Sequence, residues 1–120
     1  MKSVLILDDD IDLSEILELT IKHLGVTLCK VIHSYKEILE LNKVELTRFD
    51  ICLLDVNLGP GQPNGLEVYK HLKQVNYPGE IYFFTGHGKS DSRLQVLTNF
   101  SLTHILEKPV SIETLNNIIQ

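Results

Sequence analysis

The chain has 120 residues, 43% hydrophobic and 22% charged, with a formal net charge of −5. That balance excludes an intrinsically disordered chain and suits one domain of common size with a single core. The acidic sign argues against a nucleic-acid surface, and no apolar run approaches the roughly 18 residues of a membrane span.

Met1 to Asp10 reads MKSVLILDDD. Its apolar run is too short for a secretory signal and no small-residue cleavage site follows, so a cytosolic protein is expected. Ser3 to Leu7 is a short continuous apolar run, fit for a strand buried on both faces. Leu13, Ile16, Leu17, Ile21 and Leu24 fall at helical spacing, with Asp10 as a candidate N-cap and Gly25 as a left-handed stop. Thr27 to Ile32 predicts a second strand. Ser34 and Glu37 stand at capping-box spacing ahead of Tyr35, Ile38 and Leu39 on one helical face. Phe49 to Leu54 predicts the third strand. The irregular stretch 58–64 reads as a surface loop, before a third helix marked by Leu66, Tyr69 and Leu72 and closed by Tyr77-Pro78-Gly79. Ile81 to Phe84 predicts the fourth strand, and Leu94, Val96 and Leu97 a helix beginning near Ser90. A brief fifth strand runs from His104 to Leu106. Ser111 is an N-cap for a last helix carrying Ile112, Leu115, Ile118 and Ile119.

The pattern is (βα)5, an α/β fold with a doubly wound parallel sheet and right-handed crossovers. No repeat or linker interrupts it, so residues 1–120 are expected to form one domain. Cys29 and Cys52 lie in apolar stretches without CxxC spacing and read as buried hydrophobes. The five histidines carry no zinc-ligand spacing.

In open parallel sheets, ligands bind beyond the carboxyl ends of the strands. Asp8 and Asp9 leave the first strand, Asp55 the third, Thr85 the fourth and Lys108 the fifth. Carboxylates crowded on one rim need positive charge among them. Lys108 supplies one, and the all-oxygen donor set suits a hard divalent ion such as Mg2+. Such a cluster fits phosphoryl transfer, which needs positioning and charge neutralisation, with a carboxylate able to act as nucleophile.

The acidic pair in LILDDD, the aspartate of ICLLDVN, the threonine and small residue of FFTGHG and the lysine-proline of LEKPV occur in order, each ending a strand. Over essentially its whole length the chain resembles the receiver domains of two-component response regulators. The resemblance implies a flavodoxin-like strand order, 2-1-3-4-5. It implies Asp55 as phospho-acceptor, Mg2+ held by Asp8, Asp9, Asp55 and the backbone carbonyl of Asn57, and Thr85 and Lys108 on the phosphoryl oxygens. Lys108-Pro109 would be cis. The donor would be a histidine kinase or histidine phosphotransfer protein, and the domain a signalling module rather than an enzyme. A downstream output domain or protein is implied but not identified, with no direct nucleic-acid or membrane contact. A homodimer through the last helices, a stand-alone receiver and a receiver cut from a longer protein are all compatible with the pattern.

Three departures stand out. The loop after Asp55 is lengthened by GPGQP, which reads as surface length. Ile105 occupies the place, three before the lysine, where the family has a switching aromatic, so the output face is expected to respond more weakly or pack differently. Ser101 and Leu102 replace small residues ahead of the fifth strand. His87, two past Thr85, is a candidate for tuning the lifetime of the phosphorylated state, against a plain solvated loop histidine. Two other readings are weighed. One is a haloacid-dehalogenase-like phosphatase, for which Asp8 and Asp10 fit but Asp12 stands where Thr or Val is expected. The other is a pseudo-receiver that binds partners without phosphorylation, against which all the site residues are present.

Overall fold

The structure is a computed structural model and describes residues 1–56, 58, 64–86 and 104–120. In chain order the described elements are β1 (Val4–Leu7), α1 (Ile11–His23), β2 (Cys29–Ile32), α2 (Tyr35–Glu40), α3 (Lys43–Thr47), β3 (Ile51–Asp55), α4 (Gly65–Gln74), β4 (Glu80–Thr85), β5 (Ile105–Glu107) and α5 (Ile112–Ile119). The strands form one five-stranded sheet in the order β2-β1-β3-β4-β5, every neighbouring pair parallel. The doubly wound α/β fold and its 2-1-3-4-5 order are as the sequence and its resemblance imply. Among the described residues no helix is long and apolar enough to cross a membrane.

The continuous apolar strands make sense because both faces of the sheet are covered. Successive side chains point to opposite faces. Val4, Ile6, Ile51, Leu53, Tyr82, Phe84 and Leu106 therefore pack on one side with Ile21 of α1 and Leu115 and Ile119 of α5. Leu5, Leu7, Cys52, Leu54, Phe83 and Ile105 pack on the other with Ile38, Leu46, Leu66, Val68 and Leu72 from α2, α3 and α4.

Helix ends follow local chemistry. Asp10 caps α1 by accepting from the Leu13 N–H at 3.0 Å, and Gly25 just past that helix has φ +112°. Asn64 caps α4 and Ser111 caps α5 in the same way. Beyond α4 the turn is made by Asn76 at φ +58°, ahead of the Tyr77-Pro78-Gly79 stretch expected to close it.

The structure differs from the sequence reading between β2 and β3. A single helix is expected there, but α2 stops at Glu40, and a second helix, α3, follows. The capping box expected at Ser34 is half made. Ser34 Oγ accepts from the Glu37 N–H, while the Glu37 carboxylate accepts from the His33 N–H and the Ser34 hydroxyl. The reciprocal box lies at Asn42 and Glu45, with bonds of 2.8 and 3.1 Å. Strand bounds move by a residue or two, most at the start of β2 and β3, where Thr27–Leu28 and Phe49–Asp50 lie outside the ladders. The helix expected near Ser90, Asn57, His87, Ser101, Leu102 and most of the loop after Asp55 lie outside the described residues.

Candidate functional site

The alternation that sorts the core also sorts the rim. Counting on from Ile6, Leu53 and Leu106 in steps of two gives Asp8, Asp55 and Lys108. All three thus leave the sheet on the face covered by α1 and α5. Thr85, two past Phe83, has the opposite parity. It ends β4 opposite Glu107, is 2% exposed, and accepts from the Lys108 N–H through its carbonyl at 3.0 Å.

Asp8 and Asp55 are 2% and 5% exposed. The Lys108 ammonium lies between them, 3.1 Å from Asp55 Oδ2 and 3.3 Å from Asp8 Oδ2. It also sits over the Phe84 ring, 5.4 Å from the centroid. The Lys108–Pro109 bond is cis. Asp9 is exposed, and its carboxylate joins those of Asp8 and Asp55 in a group whose ligand atoms all lie within 4.8 Å of one another.

Gly65 explains how a helix can start so close to this rim. A Cβ there would stand 2.6 Å from the Asp55 carbonyl oxygen and 3.0 Å from Val56 Cα. The bare glycine lets its N–H reach the Val56 carbonyl at 2.9 Å.

Electrostatics follow from this packing. Burial is the largest influence on Asp55 and pushes its pKa from 3.8 up to about 6. The Lys108 ammonium pulls it down, and the hydrogen bond and charge of the Asp8 carboxyl push it up again. Burial works against the charge on Lys108 too, but the Asp55 and Asp8 carboxylates outweigh it and hold that pKa above its ordinary value. Among the described residues, three carboxylates against one ammonium leave the rim short of positive charge. The donors are all oxygen, two are buried, and one faces solvent. That is a fit for Mg2+, which takes one or two carboxylates and keeps several waters.

Of the residues singled out from the sequence, Asp8, Asp9, Asp55 and Lys108 are brought together and Thr85 lies on the same rim; Asn57 lies outside the described residues. Ile105 is buried beside its ladder partner Phe83, in the core under α2, α3 and α4. One further residue stands at the rim that the sequence does not single out. His33 directly follows β2 and places its ring Nδ1 2.9 Å from the Asp8 carbonyl. Its position directly after a strand, on the rim where Asp8, Asp55 and Lys108 also emerge, was the available signal.

Comparison with known proteins bears on the family and the fold. A family model described as "Response regulator receiver domain" matches residues 4–120. The response regulator protein PilR of Pseudomonas aeruginosa is 29% identical over 118 residues, which is 98% of this chain and 25% of that protein. The chain therefore spans about a quarter of the length of that curated relative. Among solved structures, a response regulator receiver domain protein from Clostridium thermocellum superposes with a TM-score of 0.81 at 19% identity, covering 99% of this chain and 91% of that one. A CheY-like receiver domain from Methylobacillus flagellatus gives 0.74 at 22% identity, covering 100% and 97%. At such identities these two likenesses speak for the fold alone.

Proposed function

Since the chain belongs to the response regulator receiver domain family, we propose that it accepts a phosphoryl group on Asp55 from a phosphohistidine of a histidine kinase or histidine phosphotransfer protein. Residues 1–120 would act as one receiver domain in the cytoplasm, signalling to an output domain or partner by a change of surface. One observation carries the reading: a nearly buried carboxylate, Asp55, is paired with an ammonium at 3.1 Å inside a cluster of three acids.

In the reaction a carboxylate oxygen of Asp55 bonds to phosphorus as the phosphorus–nitrogen bond of the donor breaks. The donor imidazole keeps the electron pair and takes a proton, and Asp55 becomes an acyl phosphate. With a pKa of about 6, Asp55 is mostly ionised at neutral pH and so available as nucleophile. Asp8, Asp9 and the Asp55 carboxylate would hold Mg2+, with the Asn57 carbonyl added by family resemblance. When bound, the ion would neutralise charge on the phosphoryl oxygens. Lys108 donates to one of these oxygens from where its ammonium already stands, and the Thr85 hydroxyl is the candidate donor to another.

Two alternatives predict different chemistry. A dehalogenase-like phosphatase would use Asp8 as nucleophile, with Asp10 as the second aspartate of its pattern. Here Asp10 spends its carboxylate on the α1 N-terminus, and the Asp8 carboxylate accepts from the Asp10 N–H at 2.9 Å. A pseudo-receiver would not react. Incubation with Mg2+ and labelled acetyl phosphate separates the three. We expect label on Asp55, lost in Asp55→Asn. Label on Asp8 with turnover of an external ester would favour the phosphatase, and an unlabelled protein the pseudo-receiver.

A further inference from the structure

One polar contact at the rim is not used by this chemistry. The Asp8 N–H donates to the Ile32 carbonyl at 3.1 Å, the last rung between β1 and β2. Past that rung β2 has ended and Ser34 already caps α2. The Asp8 carbonyl is met there by a side chain, the His33 ring, with Nδ1 at 2.9 Å. A carbonyl oxygen only accepts, so Nδ1 carries the proton in this contact. His33 is held in turn by α2, because its backbone N–H donates to Glu37 Oε2 at 3.3 Å, and the other Glu37 oxygen accepts from Ser34 Oγ at 3.3 Å.

The carbonyl of Asp8 and the nitrogen of Asp9 belong to one rigid peptide plane. The two acids are secured differently. Asp8 is fixed through its side chain, by the Asp10 N–H and by Lys108. Among the described residues no side chain or backbone group holds the Asp9 carboxylate. Its direction depends on the backbone that carries it, and His33 pins the peptide immediately before it.

We propose that His33 is a positioning residue for the divalent-cation site: by bonding the Asp8 carbonyl it sets the Asp8–Asp9 peptide so that the Asp9 carboxylate faces Asp8 and Asp55. This rests on the reading of those three acids as a cation site. Groups that orient ligands without touching the metal typically change metal affinity by about tenfold or more when removed.

The test is the Mg2+ dissociation constant of the unphosphorylated protein, by isothermal titration, with His33→Ala and His33→Asn beside the wild type. Asn is the informative variant, because its amide nitrogen is bonded to Cγ as Nδ1 is in histidine and offers an N–H from nearly the same place. His33→Ala should weaken Mg2+ binding about tenfold, and His33→Asn should recover most of that loss. Melting in EDTA should be similar for all three proteins. Unchanged affinity in His33→Ala, or an equal loss in both variants, overturns the proposal while leaving the acceptor reading intact. Failure of the wild type to bind Mg2+ overturns both. Should His33→Ala not fold, the Asn variant and 15N spectra of the wild type decide. A proton on Nδ1 with near-native affinity in His33→Asn supports the assignment, and a bare Nδ1 refutes it.

Discussion

Asp55 sits in an environment that opposes its charge. It ends an apolar strand at 5% exposure, faces a second carboxylate, and is paired with the Lys108 ammonium. A folded pKa of about 6 against an ordinary 3.8 means that the folded state holds this proton more tightly than the unfolded chain. The stabilisation that comes with the bound proton is complete below about pH 4 and is lost as pH rises through about 6. At neutral pH the metal-free protein therefore carries a penalty that Asp55→Asn removes. We expect the variant to be more stable than the wild type in EDTA at pH 7, on the order of 2 kcal/mol by urea unfolding. The gain should vanish near pH 4, and an equal difference at both pH values would contradict the assignment of the shift to this carboxyl. Asp55 was legible in the sequence because an apolar run has no packing reason to end on a charge. His33 was not, because nothing local tells which way a ring will turn after a strand. The cysteines read correctly as buried small hydrophobes, and burial pushes both thiols up to about 12.

At the scale of elements, the caps were the most readable feature. Asp10 and Ser111 serve as expected, and Gly25 takes the left-handed turn. The five-residue helix α3 was missed because one turn shows no periodicity. It stands on the Asn42–Glu45 box and on Leu46, which is buried in the core. The spacing of Asn42 and Glu45 is the signal that could have revealed it. The start of α4 is more demanding, since Gly65 is the only residue type without a Cβ to strike the Asp55 carbonyl. Gly65→Ala must push the helix or the strand end aside. We expect a loss of about 1–3 kcal/mol in unfolding free energy, accompanied by slower labelling of Asp55 by acetyl phosphate. A variant with native stability and rate would show that this approach is softer than its geometry implies.

At the scale of the molecule, the alternation of strands and helices was readable from hydrophobic period alone, whereas the strand order came from the family resemblance. Period gives each element its buried face but does not say which neighbour it will find. The sheet brings acids that are far apart in sequence onto one rim, and a dication bound there, as proposed, would relieve their mutual repulsion. Mg2+ at a hundred times its dissociation constant should add about 2.7 kcal/mol, a rise in melting temperature of about 10 °C for a domain of this size. Asp9→Asn should lose most of that rise, and a wild-type melting temperature indifferent to Mg2+ would argue against a cation site. Because the parity of β3 and β5 carries Asp55 and, one residue past its strand, Lys108 to the same face, the site has a step length. Adding one residue within either strand ahead of its reactive group would turn that group to the far side of the sheet, whereas adding two would return it to the near side. Insertions here are read by the pleat as odd or even, and only the even ones leave carboxylate and ammonium in view of each other.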